Sequence, residues 1–319
     1  MNKLIFMLGI SGSGKSHQAK EIAKKEKAVI VSTDTIRKEL FGDESRQKNT
    51  NHVFYEVYNR IEKALAEGRS VILDATNLDR EKRIKALQKF PDVEKECYYF
   101  DVPYSVCLQR NQNRKRKVEN AVLEKMRKNF HFPIINEGWD RIHILHEKAP
   151  YNISKAEFVG LLQKEPAYDE LFASLKDIPI FKEMHHFNQE NPHHQHPLCK
   201  HTYHAFEYVN AFYTEKDKQV MQVVALFHDI GKPFCKTYKK LKGYYSYYGH
   251  EYVSAQIACH FLYELGFSEA FIHEALHLIQ YHMKINYGGQ EAVSEIYRLL
   301  GDEYLWKLYF FKEADMYAK

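Results

Sequence analysis

The chain has 319 residues, 45% of them hydrophobic and 28% charged, with a formal net charge of +4. That length exceeds the roughly 100 to 200 residues of a usual domain and predicts two domains, and the balance excludes disorder over most of the chain. No stretch approaches the ~18 uninterrupted apolar residues of a membrane span, so the expectation is a soluble, cytoplasmic protein without a membrane partner.

The start, MNKLIFMLGI, is too short and lacks the small-residue cleavage site of a signal peptide, so it reads as a buried strand. Cysteines 97, 107, 199, 235 and 259 show no CxxC spacing, and an odd number without a secretory signal predicts reduced packing residues. Up to about residue 145, the short runs LIFML, AVIVS, SVILDA, CYYFDV and RIHIL alternate with amphipathic stretches, the pattern of a parallel sheet with helical crossovers. Beyond about 150 the strand signal fades, apolar residues recur at three- and four-residue spacing, and the reading is all-α. The boundaries expected are 1–150 for an α/β domain, 151–178 for a helical linker and 179–319 for an all-α domain. Two biased patches stand out, the histidine-rich HHFNQENPHHQHP and the aromatic GYYSYYGH.

Gly9-Ile10-Ser11-Gly12-Ser13-Gly14-Lys15-Ser16 fits GxxxxGK[ST] in full, after a predicted strand and before a helical stretch beginning near Lys15. Such glycines let backbone N–H groups converge on phosphate oxygens, while Lys15 neutralises phosphate charge and Ser16 helps hold Mg²⁺. ATP and Mg²⁺ are the cofactors this predicts, with Gly9, Gly12, Ser13, Gly14, Lys15 and Ser16 as ligands. Asp34 follows the second strand, where it is suited to accept a proton from an attacking hydroxyl, and Arg37 lies three residues on to grip a neighbouring phosphate. An N-cap aspartate with an exposed arginine is the other reading of that pair. Asp74 ends the third strand beside Thr76 and Asn77, placed to orient a Mg²⁺-bound water or the acceptor. Arg110 and Arg114, four residues apart, are expected on one helical face as a lid over the transferring phosphoryl group. Lys115, Arg116 and Lys117 extend that basic run.

Together these residues resemble the polynucleotide 5′-kinase family over residues 1 to 150. The resemblance implies that Lys15 and Ser16 bind ATP and Mg²⁺, Asp34 is the general base, Arg37 engages the acceptor's phosphate, and Asp74, Arg110 and Arg114 complete the site. Related small P-loop kinases share most of this pattern.

In the second half, Ala225-Leu226-Phe227-His228-Asp229-Ile230-Gly231-Lys232-Pro233 places a His-Asp pair at the end of an apolar helix. His201 lies upstream; His250, His282 and Asp315 lie downstream. Imidazole and carboxylate donors of this kind suit a divalent ion such as Mn²⁺, Ni²⁺ or Co²⁺, which lowers the pKa of bound water and polarises a phosphoryl oxygen. Lys232 is the cation expected to meet a phosphate. This array resembles the HD phosphohydrolase superfamily, whose order H, HD, D implies His201, His228, Asp229 and Asp315 as primary ligands. His250 and His282 are then candidates for a second metal or for phosphate contacts. His204, one turn from His201, is a rival first ligand; His193, His194 and His196 suit a solvated loop, and His260, His273 and His277 suit packing or surface positions.

A kinase joined to such a hydrolase resembles bacterial RNA end-healing fusions. The implied function has two parts: ATP-dependent phosphorylation of 5′-OH ends, and metal-dependent removal of a 2′,3′-cyclic, 2′- or 3′-phosphate. RNA ends, with DNA as the alternative, are the substrate partners, and an RNA ligase is a functional partner. Two rivals stand beside this: a small-molecule or nucleoside kinase joined to a nucleotide phosphohydrolase, and a nucleotide-gated RNA-binding protein with an inactive second half.

Overall fold

A computed structural model describes residues 2–46, 49–185, 187–192 and 195–319, so His193 and His194 lie outside the described residues. The chain divides into two compact units: Met1–Met126 with Pro133–Glu147, and Arg127–Phe132 with Lys148–Lys319.

The first unit alternates strands β1 (Lys3–Leu8), β2 (Val29–Ser32), β3 (Val71–Asp74), β4 (Glu94–Asp101) and β5 (Arg141–His146) with helices. The helices are α1 (Lys15–Glu26), α2 (Thr33–Phe41), α3 (Thr50–Ala66), α4 (Arg80–Leu87), α5 (Tyr104–Asn113) and α6 (Asn120–Lys128), the last of which runs on into the second unit's residues. The sheet order is β2-β3-β1-β4-β5, and every pairing is parallel. Parallel strands must be covered on both faces, so the central ones read as continuous apolar runs; Leu4, Ile5, Met7 and Leu8 are fully buried. The five strand runs expected from the sequence are the five strands observed.

Glu137 is buried and takes the guanidinium groups of Arg83 (2.7 Å) and Arg80 (3.1 Å), together with the Trp139 indole N–H (3.1 Å). Burial alone would raise its carboxyl, but the two arginines outweigh it and hold it below the ordinary value of 4.5. A depressed folded-state pKa contributes stability that is fully present above the unfolded value and is lost as pH falls through the folded one. Glu137→Ala, which leaves two buried guanidiniums without their shared anion, is expected to destabilise this unit by about 3–5 kcal/mol in urea unfolding at pH 7. The gap between wild type and variant should narrow below pH ~4.5.

The second unit is helical: α7 (Lys155–Gln163), α8 (Tyr168–Leu175), α9 (Pro179–His185), α10 (Leu198–Phe212), α11 (Lys218–Phe227), α12 (His250–Glu264), α13 (Glu269–Tyr287), α14 (Gly289–Leu300) and α15 (Asp302–Tyr317). Phe158, Phe181, Phe227 and Phe261 interlock edge to face or tilted at its centre. Helices α7 and α8 bury Phe158, Leu162, Leu171, Phe172 and Leu175 in this unit. Within this helical unit a two-stranded antiparallel ribbon, β6 (Thr237–Lys239) and β7 (Tyr244–Ser246), lies between α11 and α12. Three-residue strands are too short to show an alternation, and the turn is made by Gly243 at φ +75°. Among the described residues, no helix is long and apolar enough to cross a membrane.

Candidate active sites

The phosphate loop joins β1 to α1 at the carboxyl edge of the sheet, where parallel strands leave a crevice. Gly12 adopts φ +89°, and a Cβ there would sit 2.4 Å from the Cys107 carbonyl oxygen, so backbone sterics alone demand glycine. Lys15 Nζ lies inside the loop, donating to the Ile10 carbonyl at 2.7 Å with Ser13 Oγ at 3.5 Å. Burial lowers the Lys15 ammonium to about 8 against the pull of the nearby Asp74 carboxylate. Asp74, at the end of β3, is raised by burial and bonds the Ser16 hydroxyl. A serine hydroxyl beside a carboxylate at the foot of a P-loop is an oxygen donor set that fits Mg²⁺.

Ser32 pairs with Asp74 across β2 and β3, which sets Asp34, in the first turn of α2, near both Asp74 and Lys15. Its two carboxylate oxygens are held separately: Oδ1 by Arg37 at 3.0 Å and Oδ2 by Arg116 at 2.7 Å. In the sequence, nothing in the spacing of Arg116 distinguishes it from Lys115 or Lys117.

The expected helical face bearing Arg110 and Arg114 does not form. Helix α5 stops at Asn113, and Arg114 is its extended C-cap (φ −92°, ψ 158°). The two side chains therefore diverge. Arg114 donates to the Ser11 hydroxyl of the phosphate loop at 2.6 Å, whereas Arg110 forms a two-pronged pair with Glu147 at 2.7 and 2.9 Å.

In the second unit, five elements converge on one buried centre. His201 comes from α10, His228 caps α11 and Asp229 follows it, His250 opens α12, His282 lies in α13 and Asp315 in α15. All six side chains are buried. They form two adjoining groups that share Asp229. The donor atoms of His201, His228, Asp229 and Asp315 lie within 4.8 Å of one another, and so do those of Asp229, His250 and His282.

The shared carboxylate is split between the groups. Oδ2 faces His201 Nε2 (3.2 Å) and His228 Nε2 (3.3 Å), while Oδ1 faces His250 Nε2 (2.9 Å) and His282 Nε2 (3.7 Å). Asp315 Oδ1 completes the first group, 3.2 Å from His201 Nε2.

The histidine tautomers follow from their outer bonds. Each Nδ1 faces a backbone carbonyl: Ala318 for His201, Ala225 for His228, Tyr247 for His250 and Ile279 for His282. A carbonyl only accepts, so Nδ1 carries the proton and, in the neutral ring, the Nε2 lone pairs point inward. Those lone pairs meet head on, at 3.2 Å between His201 and His228 and 3.3 Å between His250 and His282. Facing lone pairs repel unless a cation lies between them, so this donor set fits divalent metal ions.

These ring nitrogens bind either a proton or a metal ion. Burial would lower His201, but hydrogen bonds to Asp229 and Asp315 raise it to about 9. Burial would likewise raise Asp229, but Lys232 and His228 hold it well below the usual carboxylate range.

His204, the rival first ligand, instead turns to Glu207 at 3.4 Å. Lys232 Nζ is buried against Asp229 Oδ2 (2.6 Å) and the Gln189 amide oxygen (2.9 Å). Gln189 and Asn286, which bonds Asp315 Oδ2 at 3.0 Å, had no sequence signal beyond polarity. Gly231 permits a close approach, since a Cβ there would lie 2.5 Å from the His250 carbonyl oxygen. His273 and His277 pack on the Phe132 ring, and His260 on Tyr151.

These two centres define a P-loop phosphotransferase fold and a histidine-aspartate metal fold in one chain. The AAA domain family matches residues 4–133 and the HD domain family matches residues 198–313, so the chain carries a kinase-like P-loop domain followed by an HD domain. The chain is 32% identical over 169 residues to the L-seryl-tRNA(Sec) kinase of Methanococcus maripaludis, covering 47% of this chain and 62% of that protein. It thus spans less than two thirds of that relative's length. Among solved structures, the Pnkp1/Rnl/Hen1 RNA repair complex matches with 23% identity and a TM-score of 0.37, covering 39% of this chain and 42% of that one. A gluconokinase from Sinorhizobium meliloti 1021 matches with 21% identity and a TM-score of 0.34, covering 46% of this chain and 84% of that one.

Proposed function

We propose that the chain heals nucleic-acid ends, its first domain phosphorylating a 5′-hydroxyl with ATP and its HD domain removing a 2′,3′-cyclic, 2′- or 3′-phosphate. The observation that carries the reading is Asp34 held between Arg37 and Arg116, one guanidinium on each carboxylate oxygen. A 5′-terminal nucleotide presents a hydroxyl with a phosphodiester nearby, and a carboxylate flanked by two arginines offers a base for the first and cations for the second. A simple sugar hydroxyl would bring those guanidiniums no anion beyond the carboxylates of Asp34 and Glu44. The match to a kinase whose name specifies a tRNA-borne acceptor supports the same class.

In the kinase domain, Asp34 takes the proton of the attacking hydroxyl while Arg37 and Arg116 hold the acceptor's phosphate. Lys15, the loop amides and Arg114 stabilise charge on the transferring group, and catalysis comes mainly from positioning. Arg110, paired with Glu147, serves the donor phosphates only after exchanging that partner. Mg²⁺ belongs at Ser16 and Asp74.

In the HD domain, His201, His228, Asp229 and Asp315 would hold one divalent ion and Asp229, His250 and His282 another, and bound ions would supply Lewis acidity and an activated water. The chain's own contribution is orientation. Backbone carbonyls fix every imidazole, Lys232 neutralises the shared Asp229, and burial excludes bulk water. An RNA ligase is the functional partner this chemistry implies, since 5′-phosphate and a freed 3′ end are ligation substrates.

The test is a single assay with end-labelled RNA and DNA carrying each terminus, ATP and a panel of divalent metals. Transfer of the γ-phosphate to 5′-OH oligonucleotides and phosphate release from the other end are expected. Transfer to free nucleosides or sugars alone would sink the polynucleotide reading.

A further inference from the structure

Neither centre uses the ribbon between α11 and α12. From Gly231 to His250 there is no Asp or Glu, while Lys236, Lys239, Lys240 and Lys242 interleave with Tyr238, Tyr244, Tyr245, Tyr247 and Tyr248. The β6–β7 register pairs Tyr238 with Tyr245 on one face and Lys239 with Tyr244 on the other. Lys236 lies 4.4 Å from the Tyr245 ring centre, and Lys239 lies 5.1 Å from that of Tyr248. Tyr238 is 52% exposed and Tyr248 62%. Lys236 has a carboxylate partner in Glu190 at 2.6 Å, but among the described residues Lys239, Lys240 and Lys242 have none.

The ribbon's base is anchored to the metal centre at both ends. One strand follows the turn of Lys232, which contacts Asp229; the other leads to His250, whose Nδ1–H donates to the Tyr247 carbonyl. Asn191 donates to the Tyr245 carbonyl at 2.7 Å, and the Tyr247 hydroxyl donates to the Gln189 carbonyl. The tip, with Leu241 fully exposed, projects beyond these ties.

We infer that this ribbon is the single-stranded nucleic-acid platform of the HD domain, stacking bases on Tyr238 and Tyr248 and holding phosphates with Lys239, Lys240 and Lys242. Cations without carboxylate partners favour a polyanion, and aromatic rings on the ribbon's faces suit a flat, stacking ligand rather than an acidic peptide. One exposed leucine is too little apolar surface to favour a membrane. The inference rests on the end-healing reading, because a small nucleotide would need no platform outside the metal centre.

The test uses the full chain and a fluorescent oligoribonucleotide of about 12 residues phosphorylated at both ends, with binding read by anisotropy in EDTA. Tyr238→Ala should weaken binding about 10-fold, and Tyr238→Phe should restore it. The Lys239→Ala/Lys240→Ala/Lys242→Ala variant should reduce the slope of log affinity against log salt by about 2. Both should hydrolyse bis(p-nitrophenyl) phosphate with Mn²⁺ as wild type does. Unchanged binding and salt slope in these variants would overturn the inference, as would ribbon-dependent binding to phosphatidylserine vesicles with none to RNA. The two readings fail separately. Hairpin-dependent binding without any end hydrolysis removes end healing alone, whereas end hydrolysis indifferent to the ribbon removes the platform alone.

Discussion

Asp229→Ala is expected to abolish metal-dependent phosphate release, lowering it by about 10³-fold or more, while leaving ATP-dependent phosphorylation intact. The reason is geometric. Asp229 is the one carboxylate common to both donor groups, so its loss removes an oxygen from each and takes from buried Lys232 its carboxylate partner. His282→Ala removes a donor from the second group only. Metal analysis of the purified protein should therefore show about two equivalents in wild type, about one in His282→Ala and fewer than one in Asp229→Ala. Full hydrolysis by Asp229→Ala, or equal metal content in all three proteins, would refute the shared-ligand arrangement.

In the kinase domain, Lys15→Ala is expected to eliminate transfer to within background, and Asp34→Asn to lower it by about 10² to 10⁴-fold. The two should differ in kind. Lys15 lies in the loop that meets the donor phosphates, so its loss should weaken ATP binding as well as turnover. Asp34→Asn keeps a side chain of the same shape between Arg37 and Arg116 but cannot accept a proton, so ATP affinity should survive while the rate falls. Equilibrium ATP binding alongside single-turnover transfer separates these effects. Transfer by Asp34→Asn at the wild-type rate would remove Asp34 from the role of base. Neither substitution should alter phosphate release by the HD domain.

Several parts of this arrangement were legible in the primary structure for a simple reason. Local motifs carry their own geometry: a glycine-rich turn between an apolar strand and a helix is suited to cradle phosphate, and five short apolar and aromatic runs announce their strands by pattern. His201, His228, Asp229, His250, His282 and Asp315 are named by the resemblance to the HD superfamily, and the fold brings their donor atoms together in two groups.

Other parts depended on contacts between distant segments. Arg110 and Arg114 share a helical spacing, yet the helix ends between them, and a one-residue difference in the cap sends one to the phosphate loop and the other to Glu147. Arg116 meets Asp34 across 82 positions, which no local pattern encodes.

Residue identity alone determined that the chain holds a P-loop with its lysine and serine, a His-Asp metal motif, and alternating elements followed by helices, because these follow from local chemistry and periodicity. Only the tertiary structure decided that Asp229 divides its two oxygens between His201 with His228 and His250 with His282. It also decided that Asp315 is held near the end of the chain, where His201 donates to the Ala318 carbonyl. Both depend on where α10, α12, α13 and α15 come to rest around α11, and that is set by packing of buried side chains far apart in the chain.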